Sequence, residues 1–121
     1  PNLGTLNLHT ALLPKYRGLM PTFWVLKNQE NVTGVSVFFV DEGIDSGPIV
    51  IQRKIEIGDM SQAKLIKESK RIGAECLVEA IDKVKSNECK LLPNDDEQMT
   101  YYGFPTRKDV KAFLSAGAKF F

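Results

Sequence analysis

The chain has 121 residues, 43% of them hydrophobic, a length and composition that suit a single domain with one buried core. Lys and Arg total 16 against 15 for Asp and Glu, which gives a net charge of +1. This balance excludes a broad positive electrostatic field that would attract nucleic acid or an acidic membrane. No apolar run approaches the roughly 20 residues of a membrane helix, and no signal-peptide pattern opens the chain. We therefore expect a soluble, cytoplasmic protein.

The first predicted element is a strand over Leu3 to His9. Leu6 and Leu8 alternate with Asn7 and His9 in the period-two pattern of a strand. The two polar side chains are therefore expected to project from the same face.

A loop and a short helix are predicted next. Residues 13–18 are typical of a loop, because Pro14 interrupts regular structure and Gly18 permits unusual backbone angles. Pro21 suits the first turn of a helix, where its missing N–H would have no partner, and the helix is expected to continue to Gln29.

Two strands with a shaped loop between them follow. Residues 33–40 are rich in Val and Phe, and residues 49–57 alternate Ile with other side chains, so both stretches have strong β propensity. The intervening residues 41–48 contain two glycines, a proline and two aspartates. This composition predicts a tight loop that joins antiparallel strands.

A long helix is predicted from the periodicity that comes after these strands. Asp59 and Gln62 resemble a capping box at its start, and Asn87 is a reasonable stop. Apolar side chains recur at three- and four-residue steps, which indicates a face packed on the core. This face comprises Leu65, Ile66, Ile72, Cys76, Leu77, Ala80, Ile81 and Val84.

The remainder of the chain, residues 91–121, is predicted to be irregular apart from one short helix over 108–116. The buried side of that helix is expected to carry Val110, Phe113 and Leu114.

Two cysteines, Cys76 and Cys89, are too few and too far apart in sequence for a disulfide framework. Neither belongs to a Cys-x-x-Cys pair, and the sequence has no histidine cluster that would suggest zinc. We expect two ordinary thiols in a reducing compartment and no bound metal.

His9 is the only histidine, and its same-face neighbour Asn7 lies about 6–7 Å away along a strand. An amide donor and a proton-transferring group at this spacing can act on one carbonyl carbon. A carboxylate that orients the imidazole would complete the arrangement used in acyl transfer. Spacing alone does not select that carboxylate from the fifteen acidic residues.

Two stretches resemble motifs of the folate-dependent formyltransferases. Residues 7–18, Asn-Leu-His-Thr-Ala-Leu-Leu-Pro-Lys-Tyr-Arg-Gly, resemble that family's active-site segment, in which Asn-x-His precedes Leu-Leu-Pro and a basic, glycine-containing loop. Residues 41–49, followed by Gln52, resemble the second family motif. The resemblance extends from residue 3 to about residue 84, although Thr10-Ala11 replaces the family's common Pro-Ser.

The resemblance implies roles for three catalytic residues. Asn7 would hydrogen-bond the formyl oxygen and stabilise the oxyanion that forms when an amine attacks. His9 would assist proton transfer, and Asp45 would orient His9 and help move a proton from the attacking nitrogen.

The resemblance also implies a co-substrate, 10-formyltetrahydrofolate. The expected wall of its pteridine site comprises Leu13, Pro14, Val40, Asp41, Glu42, Gly43 and Ile44. Arg17 is the candidate for binding an anionic group of the other substrate.

The fold implied by the resemblance is α/β, part of a Rossmann-like formyltransferase domain with a β-α-β-β-α core and an irregular C-terminal tail. Residues 1–121 would be one domain, the C-terminal portion of the catalytic domain without its N-terminal parallel-sheet half. Residues 3–9 would then be a parallel central strand, with edges left open.

The expected reaction is formyl transfer to a primary amine, carried by a small molecule or by an aminoacyl-tRNA. Methionyl-tRNA ordinarily demands a further basic domain, so an amino-sugar nucleotide or glycinamide ribonucleotide fits the length better. The alternatives are a formyltetrahydrofolate deformylase, which uses water in place of the amine, and a non-catalytic domain with the same fold. We expect no membrane partner, and the oligomeric state is left open, a homo-oligomer included.

Overall fold

The computed structural model describes residues 4–87 and 90–121. Leu3, where the first strand is predicted to begin, and Cys89 lie outside these residues. The described elements are β1 Leu6–His9, β2 Arg17–Gly18, α1 Pro21–Lys27, β3 Val32–Phe39, β4 Ile49–Glu56, α2 Gln62–Lys85, a 3-10 helix Asp96–Gln98, β5 Tyr101–Tyr102 and α3 Arg107–Ser115. The predicted β-α-β-β-α core and α/β class are confirmed, with the short β2 added.

The main sheet has the strand order β1-β3-β4, and both of its pairings are antiparallel. The prediction that β1 is a parallel central strand is wrong within the described residues, where its one partner is β3 and His9 lies opposite Ser36. The register gives the reason: His9 pairs with Ser36 and Leu6 with Phe39, so residues 10–31 bring the chain back beside the end of β1, and β3 runs in the opposite direction. The hairpin of β3 and β4 around residues 41–48 is confirmed.

Helix α2 lies across the sheet and contacts β1, β3 and β4. Its N-cap is Ser61, whose hydroxyl accepts a hydrogen bond from the backbone N–H of Lys64. The predicted capping box at Asp59 is wrong, because Gly58 (φ 54°) still turns the chain just before it. At the other end Asn87 has a left-handed φ of 59°, as expected for the residue that stops a helix.

The buried face of α2 is narrower than predicted and contains several small residues. It comprises Gln62, Leu65, Ser69, Gly73, Cys76 and Ala80. A Cβ at Gly73 would lie 2.6 Å from Leu8 Cδ2, so this glycine allows the helix to approach β1 closely. Ile81 is 39% exposed, contrary to prediction, because the sheet covers only one side of the helix.

The C-terminal segment is more ordered than its composition predicts. Strand β5 pairs in parallel with β2, and α3 begins with a capping box in which Thr106 and Asp109 bond each other's backbone N–H groups. Phe113 is fully buried and stacks on Phe23 and Phe120. Leu114 is 54% exposed, so its predicted burial is wrong: α3 turns a single residue, Phe113, fully into the core.

The core is formed by the inner face of the sheet, the buried face of α2, and α1 with α3 at one end. Its fully buried members from the strands include Val35 and Val37, and Phe23 enters from α1. In the described parts of the chain, none of the helices combines the length and the apolar character required to cross a lipid bilayer. The predicted site residues lie on the sheet edge at β1, on the segment that leads into β2, and on the loop between β3 and β4.

Candidate active site

Strand β1 presents Asn7 and His9 on one side, as their spacing predicts, but in different environments. Asn7 is exposed, and its Oδ1 accepts a hydrogen bond from the backbone N–H of Leu8 at 2.9 Å. Among residues 4–87 and 90–121 its Nδ2 group makes no hydrogen bond, so two N–H donors are available to a ligand. His9 is buried, with 7% of its surface exposed.

The His9 ring lies between two oxygen atoms. Its Nε2 is 2.6 Å from the backbone carbonyl oxygen of Tyr16, which can only accept, so Nε2 carries a hydrogen. The other nitrogen, Nδ1, lies 3.7 Å from Asp45 Oδ2. In the neutral ring Nδ1 is therefore the proton acceptor, and the imidazolium formed after proton transfer would face a carboxylate.

Asp45 reaches His9 from the loop that joins β3 to β4. Its backbone has a left-handed φ of 53°, and its Oδ2 accepts a hydrogen bond from the N–H of Gly18 at 2.9 Å. The structure thus brings Asp45 and His9 together, which local spacing alone did not identify. No hydrogen bond within the described residues links Asn7 to either of them.

The first part of the same loop is closed by Asp41. Its Oδ1 accepts hydrogen bonds from the Ser46 hydroxyl at 2.5 Å and from the Gly43 N–H at 2.8 Å. These two bonds, the one from Ser46 first, lower the pKa of Asp41. The carboxylate therefore has a structural role in shaping the turn.

The residues predicted to line a folate site differ in their exposure to solvent. Val40, Asp41, Glu42, Gly43 and Ile44 are all exposed. Leu13 is buried beneath this loop in a small cluster with Phe38 and Ile49, and a cis peptide bond joins it to the half-buried Pro14. The exposed loop residues are therefore the part of this set that is open to a ligand.

Arg17 is buried, with 3% of its surface exposed. Its Nη1 donates to Asp96 Oδ1 and its Nη2 to Asn94 Oδ1, both at 2.8 Å. Within the described residues its Nε finds no partner. The side chain predicted to bind a substrate anion thus ties β2 to the C-terminal segment while keeping one N–H unused.

Sequence reasoning missed the residues of the C-terminal segment that surround the site. The Nδ2 group of Asn94 donates to the carbonyl oxygens of Asp45 and Gly47, each at 2.8 Å. The hydroxyl of Thr100 accepts from the N–H of Tyr16 at 2.8 Å. No local pattern signals these contacts, which join residues 47 to 84 positions apart.

A cavity of about 460 Å³ opens beside the Asp45 loop and is lined by Arg17, Gly43, Ile44, Ser46, Asp96, Met99 and Tyr101. A second cavity, of about 440 Å³, lies where the ends of α1 and β4 meet residues 116–119, and none of the predicted site residues lines it. Within the described residues no group of three or more His, Cys, Asp or Glu side chains is arranged to hold a metal ion.

Known proteins resemble this chain in both sequence and structure. The sequence model of the formyl transferase family matches residues 1–81. The methionyl-tRNA formyltransferase of Kosmotoga olearia is 44% identical over 111 residues, which cover 91% of this chain and 36% of that protein. The chain spans about a third of the length of the curated relatives it matches, 28% to 36% of the first three.

Two solved structures have the same fold at a TM-score of 0.76 and cover 86% of this chain. WlaRD, a sugar 3N-formyltransferase solved in the presence of dTDP and 5-N-formyl-THF, is 28% identical, and the match covers 37% of it. The N-formyltransferase from Helicobacter canadensis, in complex with folinic acid and dTDP-3-aminofucose, is 25% identical, with 38% covered. With 81 of its 121 residues matched by the family's sequence model, the chain belongs to the formyl transferase family.

Proposed function

We propose that the protein transfers a formyl group from 10-formyltetrahydrofolate to a primary amine, with Asn7, His9 and Asp45 as its catalytic residues. The observation that carries this proposal is the meeting of the two motifs. His9 Nδ1, from the first motif, lies 3.7 Å from Asp45 Oδ2, from the second. A proton acceptor and a carboxylate are therefore available together at the edge of the sheet.

Each of the three residues has a separate role in acyl transfer. As the amine nitrogen bonds to the formyl carbon, the Nδ2 group of Asn7 donates to the oxygen on which negative charge develops. His9 Nδ1 takes the proton that the attacking nitrogen loses, and Asp45 stabilises the resulting imidazolium. The bond between the formyl carbon and the folate nitrogen then breaks, and the proton passes to that leaving nitrogen.

The folate co-substrate supplies the activated formyl group, and its flat ring system is proposed to lie against the exposed loop. Backbone groups and the apolar side chains of Val40 and Ile44 are exposed on this loop, next to the cavity of about 460 Å³. The folate-type ligands of WlaRD and of the Helicobacter canadensis enzyme support the same choice. The proposed wall comprises Leu13, Pro14, Val40, Asp41, Glu42, Gly43 and Ile44.

The acceptor amine to test first is methionyl-tRNA, because relatives with that activity share up to 46% identity with this chain. An amino-sugar nucleotide is second, supported by the two sugar-related structural neighbours at 28% and 25% identity. In either case Arg17, which lines the cavity, is the residue proposed to face an anionic group of the acceptor. These relatives are transferases, which favours an amine over water as the acceptor.

The test supplies the intact protein with 10-formyltetrahydrofolate and, separately, methionyl-tRNA, amino-sugar nucleotides, glycinamide ribonucleotide or no amine. We expect a formylated product with one acceptor. His9→Ala and Asp45→Asn should each reduce turnover by about 10²–10⁴-fold because proton transfer is impaired, with melting temperatures near that of the parent.

The control is Lys111→Ala, on the exposed side of α3, which should leave turnover unchanged. Near-normal turnover in either site variant would contradict the assigned roles. Formate release in the absence of any amine would instead identify a hydrolase, and no turnover with any acceptor would favour a non-catalytic domain.

A further inference from the structure

Asn94 lies in the C-terminal segment and uses the full hydrogen-bonding capacity of its side-chain nitrogen. One Nδ2 hydrogen goes to the carbonyl oxygen of Asp45 and the other to that of Gly47, each at 2.8 Å. Its Oδ1 accepts from Arg17 Nη2 at 2.8 Å. A single amide therefore joins the loop that carries Asp45 to the strand β2, which follows the loop from His9.

The Asp45 backbone needs such support. Its φ of 53° lies in the left-handed region, which is unfavourable for a residue with a side chain and persists only when surrounding contacts hold it. The bond from Asn94 fixes the Asp45 carbonyl, and the bond from the Gly18 N–H fixes the carboxylate. Together they determine where Oδ2 lies relative to His9.

The hydrogen bonds of Asn94 also act on His9, the other member of the pair, through Arg17. Arg17, held by Asn94 and Asp96, stands between Gly18, which binds Asp45 Oδ2, and Tyr16, whose carbonyl binds His9 Nε2. A shift of Arg17 would therefore move both partners of the His9 and Asp45 pair.

We propose that Asn94 is a positioning residue for formyl transfer, one that holds Asp45 against His9 without touching substrate. This inference rests on the proposed function above. It extends the functional unit beyond residues 1–81, the part matched by the family's sequence model, into the C-terminal segment.

The decisive variant is Asn94→Asp in the intact protein. It keeps the size of the side chain and the acceptor for Arg17, but it turns an oxygen towards the carbonyl oxygens of Asp45 and Gly47. We expect kcat for formyl transfer to fall about 10- to 100-fold, as for other supporting residues around catalytic groups. The KM values of both substrates should stay within about threefold, because the contacts of neither substrate are removed.

The matched control is Gln98→Glu, which adds the same charge to the same segment at an exposed position and should keep the parent kcat. Asn94→Ala serves as a second variant because it removes the donors without adding a charge. A similar loss of kcat in Asn94→Ala, with a melting temperature near the parent's, would support positioning.

A spectroscopic signal separates positioning from general stability. The ring resonances of His9 can be assigned by NMR through their absence in a His9→Gln variant. They should shift in Asn94→Asp and Asn94→Ala and stay in place in Gln98→Glu. Parent kcat and unmoved His9 signals in both Asn94 variants would overturn the inference. If the parent forms no formyl product, the proposed function fails, while the His9 signals still test whether Asn94 holds the pair.

Discussion

At the scale of single residues, Tyr16 determines which ring nitrogen of His9 carries the hydrogen. Its φ of 61° turns its carbonyl towards the imidazole, while its hydroxyl donates to Glu30 and accepts from Asn28. Burial raises the pKa of the Tyr16 phenol, so the group stays neutral and keeps donating. The position of Asn7 and His9 on one strand face was predictable, but the contact that places the hydrogen on Nε2 was not.

Cys76 gives a prediction at the same scale, since it is 0% exposed and burial raises the pKa of its thiol. The thiolate is the reactive form, so a raised pKa reduces its fraction at neutral pH. We expect iodoacetamide at about pH 7.5 to label Cys76 at least about tenfold more slowly than a cysteine in an unstructured peptide. Mass spectrometry of digested samples measures this rate.

The control for this labelling is the protein in concentrated urea, where Cys76 should react at the peptide rate. Equal rates in native and unfolded protein would show that the thiol is accessible and would contradict its burial.

At the scale of elements, the hairpin of β3 and β4 shapes the site through its loop. The N–H of Phe39 bonds to the carbonyl oxygen of Pro48, and Asn94 and Asp41 hold the residues between. The strands and the tight loop were predictable from β propensity and turn residues. The exact path of the loop was not predictable, because Asn94, which holds it, lies 47 residues beyond Gly47.

Gly47 is the residue in this loop that tolerates a side chain least. A Cβ there would collide with the carbonyl oxygen of Phe39 and lie 2.7 Å from the carbonyl carbon. We expect Gly47→Ala to lower stability by about 1–3 kcal/mol, because backbone must move, and to reduce formyl transfer at least about tenfold by displacing Asp45. Urea unfolding and turnover measure the two effects.

The matched control is Gly103→Ala, since a Cβ at Gly103 meets nothing within 4 Å. Both quantities should stay close to the parent values in that variant. An active Gly47→Ala protein of parent stability would mean that the loop can rearrange without cost.

At the scale of the whole molecule, the C-terminal segment completes both the core and the site. Phe113 stacks on Phe23 at 4.8 Å between ring centroids and on Phe120 at 4.5 Å. The N–H groups of Gln62 and Ala63, at the start of α2, bond to the carbonyl oxygens of Lys119 and Phe120. The end of the segment is therefore part of the folded unit.

Phe113→Ala tests this packing in the intact protein. The ring is fully buried, so its removal should lower the free energy of unfolding by about 3–5 kcal/mol. Leu114→Ala, in the same helix at a position 54% exposed, should change it by less than about 0.5 kcal/mol. Urea denaturation followed by circular dichroism compares the two, and equal effects would contradict the packing of α3.

The sequence by itself determined the elements whose signals are local. Periodicity and turn residues predicted β1, α1, the hairpin and α2 close to their observed bounds, because each repeat reports which side of one element is buried. The pair Asn7 and His9 followed from the same period. Two motifs sufficed to recognise the family before any fold was known.

Only the tertiary structure decided the partners of these elements. The antiparallel pairing of β1, the contact of Arg17 with Asp96 and that of Asn94 with Asp45 are hydrogen bonds between distant parts of the chain, such as the 79 positions from Arg17 to Asp96. Such bonds leave no periodic trace, because one polar residue in a loop looks the same in sequence whether it faces water or a buried carbonyl. The chain must fold before its two motifs meet at His9 and Asp45.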